Sequence, residues 1–188
     1  MLALGCLGGM VPHGMTLWHV VFARCDGAKQ IFESLDDDDD DVAGLTSRRL
    51  AARLAGDDLG RTPLCFAVQL GKPKVVSFLA NGQDVGQADI FGNTPLHYAA
   101  HAGSVPLCKP LLAGDDTASL LRCNVAGQTP LQLAALSSSP KRVACCALLL
   151  EAGGDAQLLT RDAFGATPIF DLLMIHKHGT LVRFARSI

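Results

Sequence analysis

The sequence predicts an all-α solenoid of about five helix-turn-helix units joined by hairpin-like loops. Two observations carry that prediction. A Thr-Pro frame recurs four times in phase, and each copy opens short apolar-patterned segments punctuated by glycine. Composition agrees. The 188-residue chain is 49% hydrophobic but only 5% aromatic, so Ala, Leu and Val must do the packing. Small aliphatic residues suit closely spaced helices better than a sandwich built on large rings.

The frame is an acid or amide, two residues, Gly, one residue, then Thr-Pro. Its copies begin at Asp57, Asp89, Asn124 and Asp162, with glycines Gly60, Gly92, Gly127 and Gly165. The Thr-Pro pairs start at Thr62, Thr94, Thr129 and Thr167, spaced 32, 35 and 38 residues apart. A degenerate fifth copy, Gly14 to His19, lies upstream and lacks both the Pro and the acid. A fixed period of this size marks a stacked repeat architecture.

The third unit, Asp89 to Gly114, shows the physics of one copy. Gly92 supplies a turn that other residues enter only at a steric cost. Thr94 is a helix N-cap, and Pro95 fits the first helical position, where a missing N–H costs nothing. Leu96, Ala99 and Ala100 then share one helical face, and Gly103 ends the helix. Pro106 opens a second helix carrying Leu107, Leu111 and Leu112, which Gly114 stops. Helices of about two turns are marginal alone and need neighbours to lean on.

These residues resemble the ankyrin repeat. Thr94-Pro95-Leu96-His97-Tyr98-Ala99 matches the family's signature. Thr62-Pro63-Leu64-Cys65-Phe66-Ala67 replaces the His by Cys, and Thr129-Pro130-Leu131-Gln132-Leu133-Ala134 replaces it by Gln. Unit two keeps Gly71, Val75-Val76 and Phe78-Leu79 in step. Unit four ends in Leu148-Leu149-Leu150-Glu151-Ala152-Gly153, and unit five, from Thr167-Pro168-Ile169-Phe170, has drifted further. The expected organisation is an apolar leader over residues 1–11 and a repeat domain over 12–188. Its units lie near 12–35, 57–84, 89–114, 124–155 and 162–188, with an acidic insert at 36–56.

Several departures from the frame carry expectations. The 46 residues from Thr16 to Thr62 hold the insert, including Thr46 to Ala55, which reads as an extra helical turn or two. Pro110 falls inside the second helix of unit three and is expected to kink or break it. Ser137-Ser138-Ser139-Pro140 adds about three residues between the helices of unit four.

Charge and cysteine usage narrow the function classes. Net charge is −2, and six of the 18 acidic residues lie in Asp36 to Asp41. Neither the whole chain nor the remainder is basic enough to suggest nucleic acid. The Asp run reads as a solvated, self-repelling loop, with a docking strip for a basic partner or a weak divalent-cation site as the alternative; it lacks the spaced ligands of a calcium loop. Seven scattered cysteines, with no Cys-x-x-Cys pair, suggest core fillers in a reducing compartment, cytosol or nucleus. No stretch has the roughly 18 uninterrupted apolar residues of a membrane span, so no membrane insertion is expected.

Catalytic and metal-binding readings are weak, and no cofactor is expected. By the resemblance, His97 ties adjacent turns together, and Cys65 and Gln132 occupy its place in their own units. His176 and His178 are two apart and diverge on a helix, which disfavours a metal pair. Cys145 and Cys146 fall, on the family pattern, at largely buried positions. No nucleophile elbow, phosphate loop or kinase signature is present. Catalytic, cofactor and metal residues are therefore all read as none.

The resemblance implies protein recognition through hairpin tips and the exposed face of the first helices. Carried over position by position, the tips are Asp58 and Leu59, Ile90 and Phe91, Val125 and Ala126, and Ala163 and Phe164. The residue after each turn glycine is expected to face outward: Arg61, Asn93, Gln128 and Ala166. Gln69, His101 and Leu136 extend the surface along the first helices. Leu59, Phe91 and Phe164 share one tip position, so stacking would either align them as an apolar edge or let each side chain fold back on the neighbouring hairpin. The expected function is a non-catalytic scaffold or adaptor for an unidentified protein, as a monomer or within a larger assembly. The alternative is a regulatory or targeting module of a larger enzyme, such as a ubiquitin-ligase adaptor or protein acyltransferase, or of an ion channel.

Overall fold

A computed structural model of the chain describes residues 56–80, 85–113 and 117–171. The expectations for the leader, unit one, the acidic run, Thr46 to Ala55, Gly114, and His176 and His178 lie outside the described residues.

Within them the secondary structure is helical, with no strand. Unit two holds α1 (Pro63–Gln69) and α2 (Pro73–Ala80), and unit three holds α3 (Pro95–His101) and α4 (Val105–Leu112). A short α5 (Thr117–Leu121) follows, and unit four holds α6 (Pro130–Leu136) and α7 (Arg142–Gly153). A 3₁₀ turn, Asp155–Leu159, leads to unit five, whose first helix begins over residues 168–171.

Each first helix starts where the Thr-Pro frame places it. Thr62, Thr94 and Thr129 sit in extended backbone immediately before the helical Pro. The Thr62 and Thr129 hydroxyls accept the amides of Cys65 and Gln132, satisfying donors that a helix start leaves orphaned. The first helices stack in one row, α1 on α3 on α6, and the second helices in another, α2 on α4 on α7.

The core runs between the two rows. Leu64, Ala67 and Val68 from α1, Leu96, Ala99 and Ala100 from α3, and Leu131, Ala134 and Ala135 from α6 are buried there. Val76, Leu79, Leu107, Leu111, Cys145 and Leu149 meet them from the second row. Ala67, Ala99, Ala100, Ala134 and Ala135 are small residues that fill the space between the rows without large rings.

One expectation needs correction: the helix is not broken at Pro110. Pro110 lies inside α4 without ending it, because the helix continues to Leu112. The bond that Pro110 cannot donate would reach the carbonyl of Pro106, a residue exposed to solvent, so the loss is confined to an exposed edge. The longer spacings are taken up by short helical turns. The extra residues fold as α5, which buries Leu120, and as the 3₁₀ turn, which buries Gln157. The serine insert of unit four leans on unit three, where Ser139 Oγ donates to the Gly103 carbonyl at 3.4 Å.

Candidate functional site

The loops between units share one construction. The leading acid or amide, Asp57, Asp89, Asn124 or Asp162, accepts through Oδ1 the amides two and four residues on, at 2.7–3.0 Å. The same residue donates its own amide to the carbonyl four residues on. A single residue, through side chain and backbone together, therefore closes each turn. The frame recurs because this loop needs a short acceptor at its start and a glycine at its bend.

Successive tips are joined by backbone rungs. Ile90 donates to the Leu59 carbonyl at 3.0 Å, Val125 to Phe91 at 2.9 Å, and Ala163 to Ala126 at 3.0 Å. The tips consequently form a continuous ladder rather than independent fingers. Side chains reinforce it. Asn124 Nδ2 donates to Asn93 Oδ1 at 3.0 Å, and the Tyr98 hydroxyl donates to Asp89 Oδ2 at 2.5 Å. Burial, and then the bond to Asp89, push the Tyr98 phenol well above its usual range, so it stays protonated and keeps donating.

A second set of rungs lies one layer deeper. His97 Nδ1 accepts the Thr94 amide at 3.1 Å, and Nε2 faces the Gln128 carbonyl at 3.1 Å. An acceptor role at Nδ1 and a carbonyl opposite Nε2 require the neutral, Nε2-protonated tautomer. Burial pushes the imidazole below its ordinary value, in the same direction. Gln132 repeats the pattern one unit later: Oε1 accepts the Thr129 amide at 2.9 Å and Nε2 donates to the Ala166 carbonyl at 2.9 Å. Cys65 is too short for this bridge; its sulfur instead accepts the Thr62 hydroxyl at 3.5 Å, and burial pushes the thiol up.

The expected surface residues separate into two groups. Ile90, Phe91, Val125 and Phe164 are open to solvent at 59%, 48%, 73% and 66% exposure, and Asp58, Gln69 and His101 are exposed as well. Leu59 is only half-exposed, so the apolar edge expected from Leu59, Phe91 and Phe164 is instead Ile90, Phe91, Val125 and Phe164. Sequence reasoning named Ile90 and Val125 as tips but missed their part in that edge; the available signal was their apolar character at one tip position.

The residues after the turn glycines do not simply face outward. Gln128 is 8% exposed and Ala166 is buried, because these positions sit against the deep rungs of the preceding unit. Asn93 is half-buried and Leu136, expected to be exposed, is half-buried too. Arg61 is fixed in place: its guanidinium meets Asp57 Oδ2 at 2.6 and 2.9 Å, reaches Gln69 Oε1 at 3.4 Å and lies 4.7 Å from the Phe66 ring centroid. Burial raises the Asp57 carboxyl, but Arg61 and the turn amides outweigh it and hold the group below its usual value.

The tips thus combine exposed apolar side chains with donors and acceptors held in place by hydrogen bonds. Among the described residues, no three His, Cys, Asp or Glu side chains gather to hold a metal, and no helix is long and apolar enough to cross a membrane.

A family model described as ankyrin repeats (3 copies) matches residues 64–162. Inversin from Gallus gallus is 36% identical over 107 residues, covering 56% of this chain and 9% of that protein. Ankyrin repeat domain-containing protein 37 from Xenopus tropicalis is 35% identical over 95 residues, covering 50% of this chain and 57% of that protein. The protein of the same name from Bos taurus is 45% identical over 56 residues, covering 30% of this chain and 34% of that protein. The matches thus span less than two thirds of the length of each relative.

Proposed function

The chain belongs to the ankyrin-repeat family, and from that premise we propose that it is a non-catalytic scaffold or adaptor that binds a partner protein along its ladder of tips. The ankyrin repeat is a general protein–protein interaction module. The observation that carries the reading is the line of exposed Ile90, Phe91, Val125 and Phe164 on a backbone held by inter-unit rungs. Apolar and aromatic side chains on a pre-ordered backbone lose little freedom on binding, which makes them efficient contact residues. Asp58, Arg61, Gln69, Asn93, His101 and Gln128 supply polar groups around that line, and Leu59 a half-buried apolar one.

The test is affinity capture with mass spectrometry using the wild-type chain, followed by a binding titration with the captured partner. Phe91→Ala is expected to weaken binding roughly tenfold, in the range of a single aromatic contact, and to leave the melting temperature within about 2 °C. Unchanged affinity in a variant replacing Ile90, Phe91, Val125 and Phe164 together by Ala would refute the tip surface. A large fall in melting temperature for Phe91→Ala alone would assign that ring to the fold instead.

A second reading is a regulatory or targeting module of a larger enzyme or channel. It is supported by inversin, where the matched segment is 9% of the protein. Transcripts joining this sequence to a catalytic or membrane segment would establish it. A reducing compartment, cytosol or nucleus, is supported by the free thiols of Cys65, Cys108, Cys123, Cys145 and Cys146.

A further inference from the structure

The buried sulfurs are not evenly spread. Cys108 on α4 and Cys145 on α7 belong to the second helices of successive units, and their sulfurs lie 3.4 Å apart across that interface. Both residues are completely buried. Cys65 is occupied by Thr62, and Cys123 is exposed elsewhere on the chain. We propose that Cys108 and Cys145 form an oxidation site, which a peroxide converts to a disulfide bonding the second helix of unit three to that of unit four.

The two sulfurs have a short distance to close. A disulfide places its sulfurs at about 2.05 Å, so closing the gap takes roughly 1.4 Å, shared between two side chains. Cys146 does not compete well for Cys145, because adjacent positions on a helix point apart. Each thiol is the other's hydrogen-bonding partner. That bond, and then burial, push the Cys108 thiol up, while the same bond pulls Cys145 down and marks it as the attacking sulfur. Burial raises Cys146 to about 11. Entry requires local opening, which repeat arrays permit unit by unit.

The steps balance. The Cys145 thiolate attacks one peroxide oxygen, the O–O bond breaks, and hydroxide leaves, giving the sulfenic acid. The Cys108 sulfur attacks the sulfenic sulfur, the S–S bond forms, and the S–O bond breaks. The departing hydroxide and the protons released by the thiols make water. In sum, two thiols lose two electrons and two protons, and one hydrogen peroxide becomes two waters.

The experiment uses the full chain carrying Cys123→Ser, which removes an exposed thiol outside the proposed pair. The protein is treated with hydrogen peroxide, alkylated under denaturing conditions and mapped without reduction. The expected result is a Cys108–Cys145 linked peptide. A rise in melting temperature of roughly 5–10 °C is expected with it, because the bond closes a loop of about 37 residues, and a dithiol should reverse both. Recovery of Cys108 and Cys145 as alkylated thiols or over-oxidised acids overturns the proposal. So does a Cys145–Cys146 link, or a fall in melting temperature on forming the Cys108–Cys145 bond.

Discussion

His97→Ala is expected to lower the free energy of unfolding by about 3–5 kcal/mol, while His97→Gln stays within about 1 kcal/mol of wild type. The imidazole joins two units with one ring, accepting the Thr94 amide and meeting the Gln128 carbonyl. Alanine removes both bonds, leaves the buried Thr94 amide unpaired and the Gln128 carbonyl with the Asn124 amide alone, and opens a cavity. The unsatisfied Thr94 amide costs about 1–3 kcal/mol, and the lost second bond and the cavity supply the remainder. Glutamine preserves the bridge because Gln132 already makes it, to Thr129 and to Ala166, one unit along. The two variants also separate in their pH dependence. In the native state burial holds His97 below its ordinary value of 6.5, so the unfolded chain takes up the proton first. Stability is therefore complete above about pH 6.5 and falls as the pH drops below it. Urea unfolding at pH 7.5 and 5.5 is expected to show that loss in the wild type and to show it diminished in His97→Gln. An equal acid loss in both proteins would remove His97 as its source.

Much of this architecture is legible in the sequence because its determinants are local. Thr62, Thr94 and Thr129 cap helices through atoms three residues away, so the Thr-Pro frame fixes the starts of the first helices with no knowledge of the neighbours. The apolar spacing of Leu96, Ala99 and Ala100 likewise needs only helical geometry. What was not legible depends on the next unit. Gln128 reads as an outward loop residue, yet it is drawn inward because its carbonyl receives His97 from the preceding unit. Leu59 and Val125 are alike in character, but only their places in the ladder decide that Val125 is the more exposed. The spacings of 35 and 38 residues revealed surplus chain without revealing that α5 and the 3₁₀ turn would pack against α7. The meeting of Cys108 and Cys145, 37 residues apart, has no signal at all in a single sequence.

Gly127→Ala is expected to cost about 3 kcal/mol or more, and Gly165→Ala only about 1–2 kcal/mol, although both glycines occupy the same turn position. Their backbones are alike, with φ of 70° and 76°, so the strain of placing an alanine there is common to both. Their surroundings differ. A Cβ on Gly127 would stand 2.8 Å from the Ala163 nitrogen and 3.2 Å from the Asp162 carbonyl carbon, whereas one on Gly165 meets nothing within 4 Å among the described residues. Both atoms near Gly127 are backbone, so relief requires the next tip to move away. That tip is held by the Ala163 amide donating to the Ala126 carbonyl at 3.0 Å, so the movement breaks a rung of the ladder. Gly92 shows the same crossing one unit earlier, where a Cβ would lie 3.1 Å from the Asn124 Cα. In a linear array, stability is a sum of unit and interface terms, and weakening one interface uncouples the units beyond it. Gly127→Ala should therefore accelerate hydrogen exchange at the Ala163 amide and broaden the urea transition, while Gly165→Ala should shift the midpoint with its shape retained. Equal costs for the two variants would mean that the tips tolerate wider spacing, and that the ladder owes its order to the helices beneath rather than to glycine at the crossing.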